Sequence, residues 1–168
     1  MTGSEPVAIR PATPSDVPAI AAFIRALARY EKLEHQCDAD EARLRAHLFG
    51  ERPACSALIA WLGEERVGFA LYFATYSTFR TMPCLWLEDL FVPPERRGHG
   101  VGLALLRALA AEAVARGCPR LDWAVLDWNV SAIGFYEKQG AKVLSDWRVC
   151  RLEGAALTRL ANAPAQRR

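Results

Sequence analysis

Charge of one sign is the first thing this chain lacks. Its 168 residues carry 21 Lys and Arg against 19 Asp and Glu, a formal net charge of +2. Binding nucleic acid by phosphate neutralisation draws on a clustered basic surplus, and these totals hold none, so no nucleic-acid partner is expected. Long apolar runs are missing too. The most apolar stretch, Val101 to Cys118, is interrupted by Arg107, Glu112 and Arg116. A bilayer core asks for about 20 apolar residues in a row, so no membrane partner is expected either. The opening residues Met1-Thr2-Gly3-Ser4-Glu5-Pro6 contain neither the basic nor the apolar segment of a secretory signal, and a cytoplasmic protein is the expectation. Cysteines are few and scattered: Cys37, Cys55, Cys84, Cys118 and Cys150 are odd in number and never spaced as C-x-x-C. That pattern offers neither a disulfide framework nor a zinc site and leaves buried thiols. His35, His47 and His99 have no second ligand at metal spacing, so no metal is expected.

What is present suits a globular domain: 52% of the residues are hydrophobic and 24% charged, enough apolar surface to offset chain entropy. The length fits one domain over residues 1–168, with a tail fraying from about 163 to 168. Val7-Ala8-Ile9-Arg10 alternates as a short strand. Thr13-Pro14-Ser15-Asp16 then supplies capping chemistry for a helix carrying Ile20, Phe23, Ile24, Leu27 and Tyr30 at helical spacing, ending near Leu33. A second helix is predicted from Asp40 to Leu48, closed by Gly50. Two apolar runs, 57–62 and 67–73, flank Gly63-Glu64-Glu65-Arg66 and predict a hairpin whose sheet is covered on both faces. Leu85 to Val92 is the next strand, stopped by Pro93-Pro94, and a helix runs through Arg116 to Gly117. A strand over Leu121–Leu126, a helix over Val130–Gln139 capped by Asn129, and a last strand or strand pair over 142–152 complete the α/β pattern.

The most informative segment is the strand-to-helix junction Arg97-Gly98-His99-Gly100-Val101-Gly102. Glycines there let several N–H groups converge on an anion where the helix dipole also favours negative charge. A pyrophosphate suits such a loop. Two phosphate loops fail the test: no glycine precedes a lysine as in a P-loop, and Gly-x-Gly-x-x-Gly breaks at Leu103 or Leu105.

Arg97-x-x-Gly100-x-Gly102 between a strand and a helix resembles the acyl-CoA pyrophosphate loop of the GNAT N-acetyltransferases. Asn129-Val130-Ser131-Ala132 followed by Phe135-Tyr136 is similar to that family's second motif. Within the family, Arg29-Tyr30-Glu31, Leu87-Glu88-Asp89-Leu90-Phe91-Val92 and Trp128-Asn129 match, in order, blocks of the spermidine/spermine acetyltransferase subgroup and its thialysine acetyltransferase relatives. The resemblance implies a single GNAT domain of α/β (α+β) class, with a mixed, mostly antiparallel sheet, splayed central strands and helices on both faces. It also implies acetyl-CoA as co-substrate, a small cationic amine (polyamine, diamine or lysine analogue) as acceptor, and a homodimer. The segment Gly140 to Trp147, including Asp146, is shorter than in that subgroup, so its polyamine contacts do not transfer.

The chemistry asks for particular groups. An alkylamine with a pKa of about 10.4 must lose a proton before attacking a thioester. Glu88, on the strand entering the glycine loop, is the candidate base, and Asp89 points to the opposite face if the strand is regular. A bulge there would change the choice. Tyr136, seven residues after Asn129 and so about two helical turns on, is the candidate acid for the departing thiolate. The resemblance places acetyl-CoA on Leu90, Phe91 and Val92 through their backbone, on Arg97, Gly98, His99, Gly100, Val101, Gly102 and Leu103, and on Asn129, Ser131, Ala132 and Tyr136. The amine falls to Tyr30, Glu31, Glu88 and Asp89, with Glu34, Asp38, Asp40 and Glu41 as an acidic rim. Trp86, Trp123 and Trp128 suit either the lining of a cleft or the core, the core being the better fit for most of them. A peptide acceptor and a non-catalytic acyl-CoA sensor are the alternatives.

Overall fold

The computed structural model describes residues 6–163, so the expectations for Met1–Glu5 and for the tail beyond Ala163 lie outside the described residues. Contacts divide the chain into two units, residues 1–124 and 125–168.

The first unit is built on a five-stranded sheet. β1 (Ala8–Pro11), β2 (Ser56–Leu62), β3 (Glu65–Ser77) and β4 (Met82–Phe91) lie side by side in that order, each antiparallel to the last, and β5 (Leu121–Trp123) joins β4 in parallel. The expected hairpin forms at Gly63-Glu64. A second hairpin at residues 78–81 lengthens β3 and β4 beyond the apolar runs that announced them, because their distal residues pair with each other and need no buried face. β5 stops at Trp123, short of the predicted Leu126.

Three helices cover this sheet. α1 (Val17–Tyr30) and α2 (Glu41–Phe49) share one face, where Ile20 and Leu48 meet Ile59, Phe69, Leu71 and Phe91. The ring of Phe23 stacks on Phe69 at 5.7 Å and tilts against Phe91 at 6.3 Å. Burial of each such side chain contributes about 1.5–3 kcal/mol. The opposite face takes α3 (Val101–Ala115), whose Leu105 and Leu109 are fully buried. Gly68 on β3 keeps the backbone of β4 clear where α3 packs over it. A Cβ at that position would lie 2.9 Å from the Phe91 carbonyl oxygen of β4, too close for a side chain, while Val101 Cγ1 of α3 would be in ordinary contact at 3.4 Å. Helices on both faces of a mixed sheet are thus observed.

α1 ends at Tyr30 rather than near Leu33, because Lys32 takes a left-handed φ of 61° and turns the chain away. Its start is tied to the hairpin. Burial pushes the Asp16 carboxyl up, but the Thr13 N–H and the Arg66 guanidinium, 2.7 Å away, outweigh burial and hold it below the usual range.

In the second unit, α4 (Val130–Lys138) begins at Asn129, whose side chain accepts from the Ala132 N–H at 3.2 Å, as the capping chemistry predicts. The strand expected over 142–152 is absent; residues 141–153 are irregular. This unit offers no strand to pair with, so the backbone there stays in water and Val143, Leu144, Trp147 and Val149 are exposed. An unanticipated helix, α5 (Gly154–Ala161), follows.

Candidate active site

The sheet opens where the candidate residues lie. β4 and β5 pair only from Leu85↔Leu121 to Leu87↔Trp123, while β4 runs on to Phe91 with β3 as its single neighbour among the described residues. From Glu88 onward one backbone edge of β4 is therefore open. This is the splay expected of the central strands, and it exposes main-chain groups of the segment Leu90–Val92 to a ligand that can lie alongside as an added strand. The side chains of Phe91 and Val92 are buried and Leu90 is half-buried, so only the backbone is on offer.

At the same place the pairing with β3 slips. Leu71 stands opposite Asp89 and Tyr72 opposite Leu87, leaving Glu88 as an extra residue, a β-bulge. A regular strand would send Glu88 and Asp89 to opposite faces; the bulge removes that alternation. Asp89, opposite Leu71, faces the α1 side and senses both Glu88 and Glu31, the C-cap residue of α1. The exposed Glu88 accepts the Trp86 indole N–H at 2.8 Å. Three carboxylates are gathered, and no hydrogen bond or ion pair among the described residues brings a cation to any of them. Burial first, then the charges of Glu88 and Glu31, push the Asp89 carboxyl up to about 7. Burial also pushes Glu31 up.

Beside this cluster, a groove of about 600 Å³ is lined by Phe23, Arg29, Tyr30, Phe91, Pro93 and Glu95. The rest of the expected acidic rim does not join it. Asp38 and Asp40 instead pair with Arg43, at 2.5 and 3.8 Å, on the exposed side of α2.

Pro93 and Pro94 end β4, and a short 3-10 turn, Pro94–Arg96, delivers the chain to the loop Arg97–Gly100. Gly100 is the N-cap of α3 with φ +78°, a left-handed conformation that a side chain would strain. No side chain caps the helix there, so the N–H groups of Val101, Gly102 and Leu103 are available to an anion in the field of a 15-residue helix. Val101 is buried as the packing foot, while Gly98, His99 and Gly100 are exposed. His99 Nδ1 lies 2.9 Å from the Arg97 carbonyl oxygen. The Arg97 side chain turns back from the loop: Nε donates to the Val92 carbonyl at 3.0 Å, and the guanidinium lies 4.4 Å from the centre of the Tyr30 ring. Sequence reasoning missed that contact, since nothing in the spacing of residues 30 and 97 signals it. The Trp86–Glu88 bond was findable from their i, i+2 placement on one strand.

Asn129, Ser131, Ala132 and Tyr136 belong to the second unit. Asn129 caps α4, Ser131 and Ala132 form its first turn, and the Tyr136 ring lies tilted against Phe135 at 5.2 Å between centres. Of the three tryptophans, Trp128 is 49% exposed and no core residue, while Trp86 and Trp123 are half-buried.

The chain is similar over nearly its whole length to known acetyltransferases. It is 40% identical to a thialysine N-epsilon-acetyltransferase of Bos taurus over 92% of this chain and 97% of that protein. An L-ornithine N5-acetyltransferase of Arabidopsis thaliana is 34% identical over 89% of this chain and 85% of that protein. Among solved structures, an integron cassette protein from the mobile metagenome of V. cholerae superposes with a TM-score of 0.78 at 28% identity, covering 94% of this chain and 98% of that one. The acetyltransferase (GNAT) family model matches residues 21–141, a span holding the open edge of β4, the glycine loop and α4. With its sheet, its uncapped helix N-terminus and these relatives in agreement, the chain belongs to the GNAT acetyltransferase family and is an N-acetyltransferase.

Proposed function

We propose that residues 1–168 act as one domain that transfers acetyl from acetyl-CoA to a primary amine of a small cationic molecule: a polyamine, a diamine or a lysine analogue such as thialysine. One observation carries the choice of acceptor. Glu31, Glu88 and Asp89 are brought together with no ion pair to a cation among the described residues, and such a cluster is stabilised when an ammonium enters it. Tyr30, held by Arg97 at the end of α1, offers a ring face beside them. The names of the relatives, which act on thialysine and ornithine, support the same class.

In this reading the backbone of Leu90, Phe91 and Val92 receives the pantetheine arm. The loop Arg97, Gly98, His99, Gly100 with Val101, Gly102 and Leu103 receives the pyrophosphate, and Asn129, Ser131, Ala132 and Tyr136 complete the acetyl-CoA contacts. A carboxylate of the bulge takes the ammonium proton; family resemblance alone points to Glu88, and the bulge holds Asp89 beside it as the second carboxylate. The nitrogen attacks the thioester carbonyl, a backbone N–H of the open β4 edge stabilises the oxyanion, and Tyr136 protonates the thiolate. Transfer is direct in a ternary complex, a route supported by the burial of Cys84, which leaves that thiol no access to an acyl group. The enzyme works in the cytoplasm as a homodimer, for which the exposed Val143, Leu144, Trp147 and Val149 provide an apolar surface.

The test is a steady-state screen of acetyl-CoA against spermidine, short diamines, thialysine, ornithine and peptides. Turnover of the small amines is expected, and activity on peptides alone overturns the acceptor class. Tyr136→Phe should lower kcat by about 100-fold with acetyl-CoA binding retained; unchanged turnover removes Tyr136 from its role.

A further inference from the structure

We propose that Asp89, not Glu88, accepts the proton of the incoming amine, and that the bulge at Glu88 is the device that gives two adjacent carboxylates different tasks. The inference rests on the reading of the protein as an amine acetyltransferase and goes beyond it by dividing the acidic cluster.

The two side chains are placed differently. Glu88 is exposed, and one of its oxygens accepts the Trp86 indole N–H at 2.8 Å. That arrangement holds a cation in water. Asp89 is half-buried on the α1 side, and no hydrogen bond or ion pair among the described residues ends on it. The charged groups it senses are Glu88 on its own strand and Glu31 at the end of α1, while Leu71, opposite on β3, adds no charge. A carboxylate with two negative neighbours and no cation gains from protonation, and one near neutrality is matched to proton transfer at the pH of the cell. Its pKa of about 7 fits that demand. Without the extra residue the alternation of the strand would put Asp89 on the far face from Glu88, and the cluster would lose a member.

The proton count closes. The ammonium gives one proton to Asp89, the free amine forms the N–C bond, and the C–S bond breaks. The thiolate takes a proton from the acid, which recovers it from the second proton of the attacking nitrogen, and Asp89 releases its own to solvent. One acetyl amide, one thiol and one proton result.

The experiment uses the full chain with acetyl-CoA and whichever of spermidine, thialysine or ornithine the unmodified enzyme acetylates. Asp89→Asn should lower kcat by about 100-fold or more with little change in KM, and its residual rate should climb about tenfold per pH unit as free amine replaces the missing base. Asp89→Glu, which keeps a carboxylate, should recover at least a tenth of the activity. Glu88→Gln should raise the amine KM by about tenfold, with the acid limb of the kcat profile retained. If Glu88→Gln abolishes kcat and that limb while Asp89→Asn changes KM alone, the assignment is overturned. An enzyme that acetylates none of these amines overturns the functional reading first and the assignment with it; an active one in which Asp89→Asn keeps its kcat overturns the assignment alone.

Discussion

The two charged regions of the first unit are made in opposite ways. The glycine loop at residues 97–100 presents backbone: N–H groups at an uncapped helix start, with exposed glycines where side chains would otherwise stand. The cluster at Glu31, Glu88 and Asp89 presents side chains, held together by the end of a helix and an irregularity in a strand. An anion with many oxygens can be met by many equivalent amides, which are insensitive to side-chain identity so long as the backbone can take its path. A single ammonium must be met by a few carboxylates at defined places. The loop should therefore break through backbone strain and the cluster through loss of charge.

The largest effect is expected at the loop. Gly100→Val places a β-branched residue at φ +78°, where only glycine is at ease, although a Cβ there meets nothing within 4 Å. Acetyl-CoA affinity measured by calorimetry should fall about 100-fold, or roughly 3 kcal/mol, with the fold retained. A wild-type affinity in this variant would mean that the first-turn amides are not the anion site.

Next comes a stability effect at the cluster. The folded pKa of Asp89 is raised from 3.8 to about 7, so the folded chain holds a proton that the unfolded chain has released. The stability this group contributes is complete below about pH 3.8 and is lost as the pH rises to and through about 7. The advantage of Asp89→Asn over wild type should thus be larger at pH 8 than at pH 5, by about 2.5 kcal/mol. Urea midpoints at the two pH values measure it. An equal difference at both would show that Asp89 is not poised near neutrality.

These two predictions also mark what the sequence could tell. The backbone of the loop was legible because it is written in residue types: Arg97-x-x-Gly100-x-Gly102 puts glycine at the left-handed position that starts α3. So was the Asn129 cap. The pairing of Glu88 with Asp89 was not, because one inserted residue flips side chains between faces without changing composition or local hydrophobicity. Asp38 and Asp40 misled for a related reason: a run of carboxylates says nothing of Arg43, which neutralises two of them locally. Residues 142–152 read as a strand because alternation records only the wish for a partner, and the second unit supplies none.

A smaller effect separates the members of the cluster. Glu31→Gln should raise the amine KM by about fivefold, more weakly at high salt, and leave kcat and acetyl-CoA affinity within about twofold. Loss of kcat instead would place Glu31 on the proton's route.

The smallest effect falls on the residue that ties the two regions together. Arg97 sits in the glycine motif, yet its side chain donates to the Val92 carbonyl at 3.0 Å and stacks 4.4 Å from the Tyr30 ring centre. Its guanidinium thus lies against Tyr30 and away from the loop, and in the proposed reading only its backbone serves the anion. Lysine keeps the charge but cannot reproduce a planar group that stacks and donates at once. Arg97→Lys should then shift the amine KM by about two- to threefold through a loosened Tyr30, the size of one exposed cation–ring contact, and move acetyl-CoA affinity by less than that. A tenfold loss of acetyl-CoA affinity would make the Arg97 side chain a phosphate ligand, and the division between a backbone site for the anion and a side-chain site for the cation would fail at the residue that joins them.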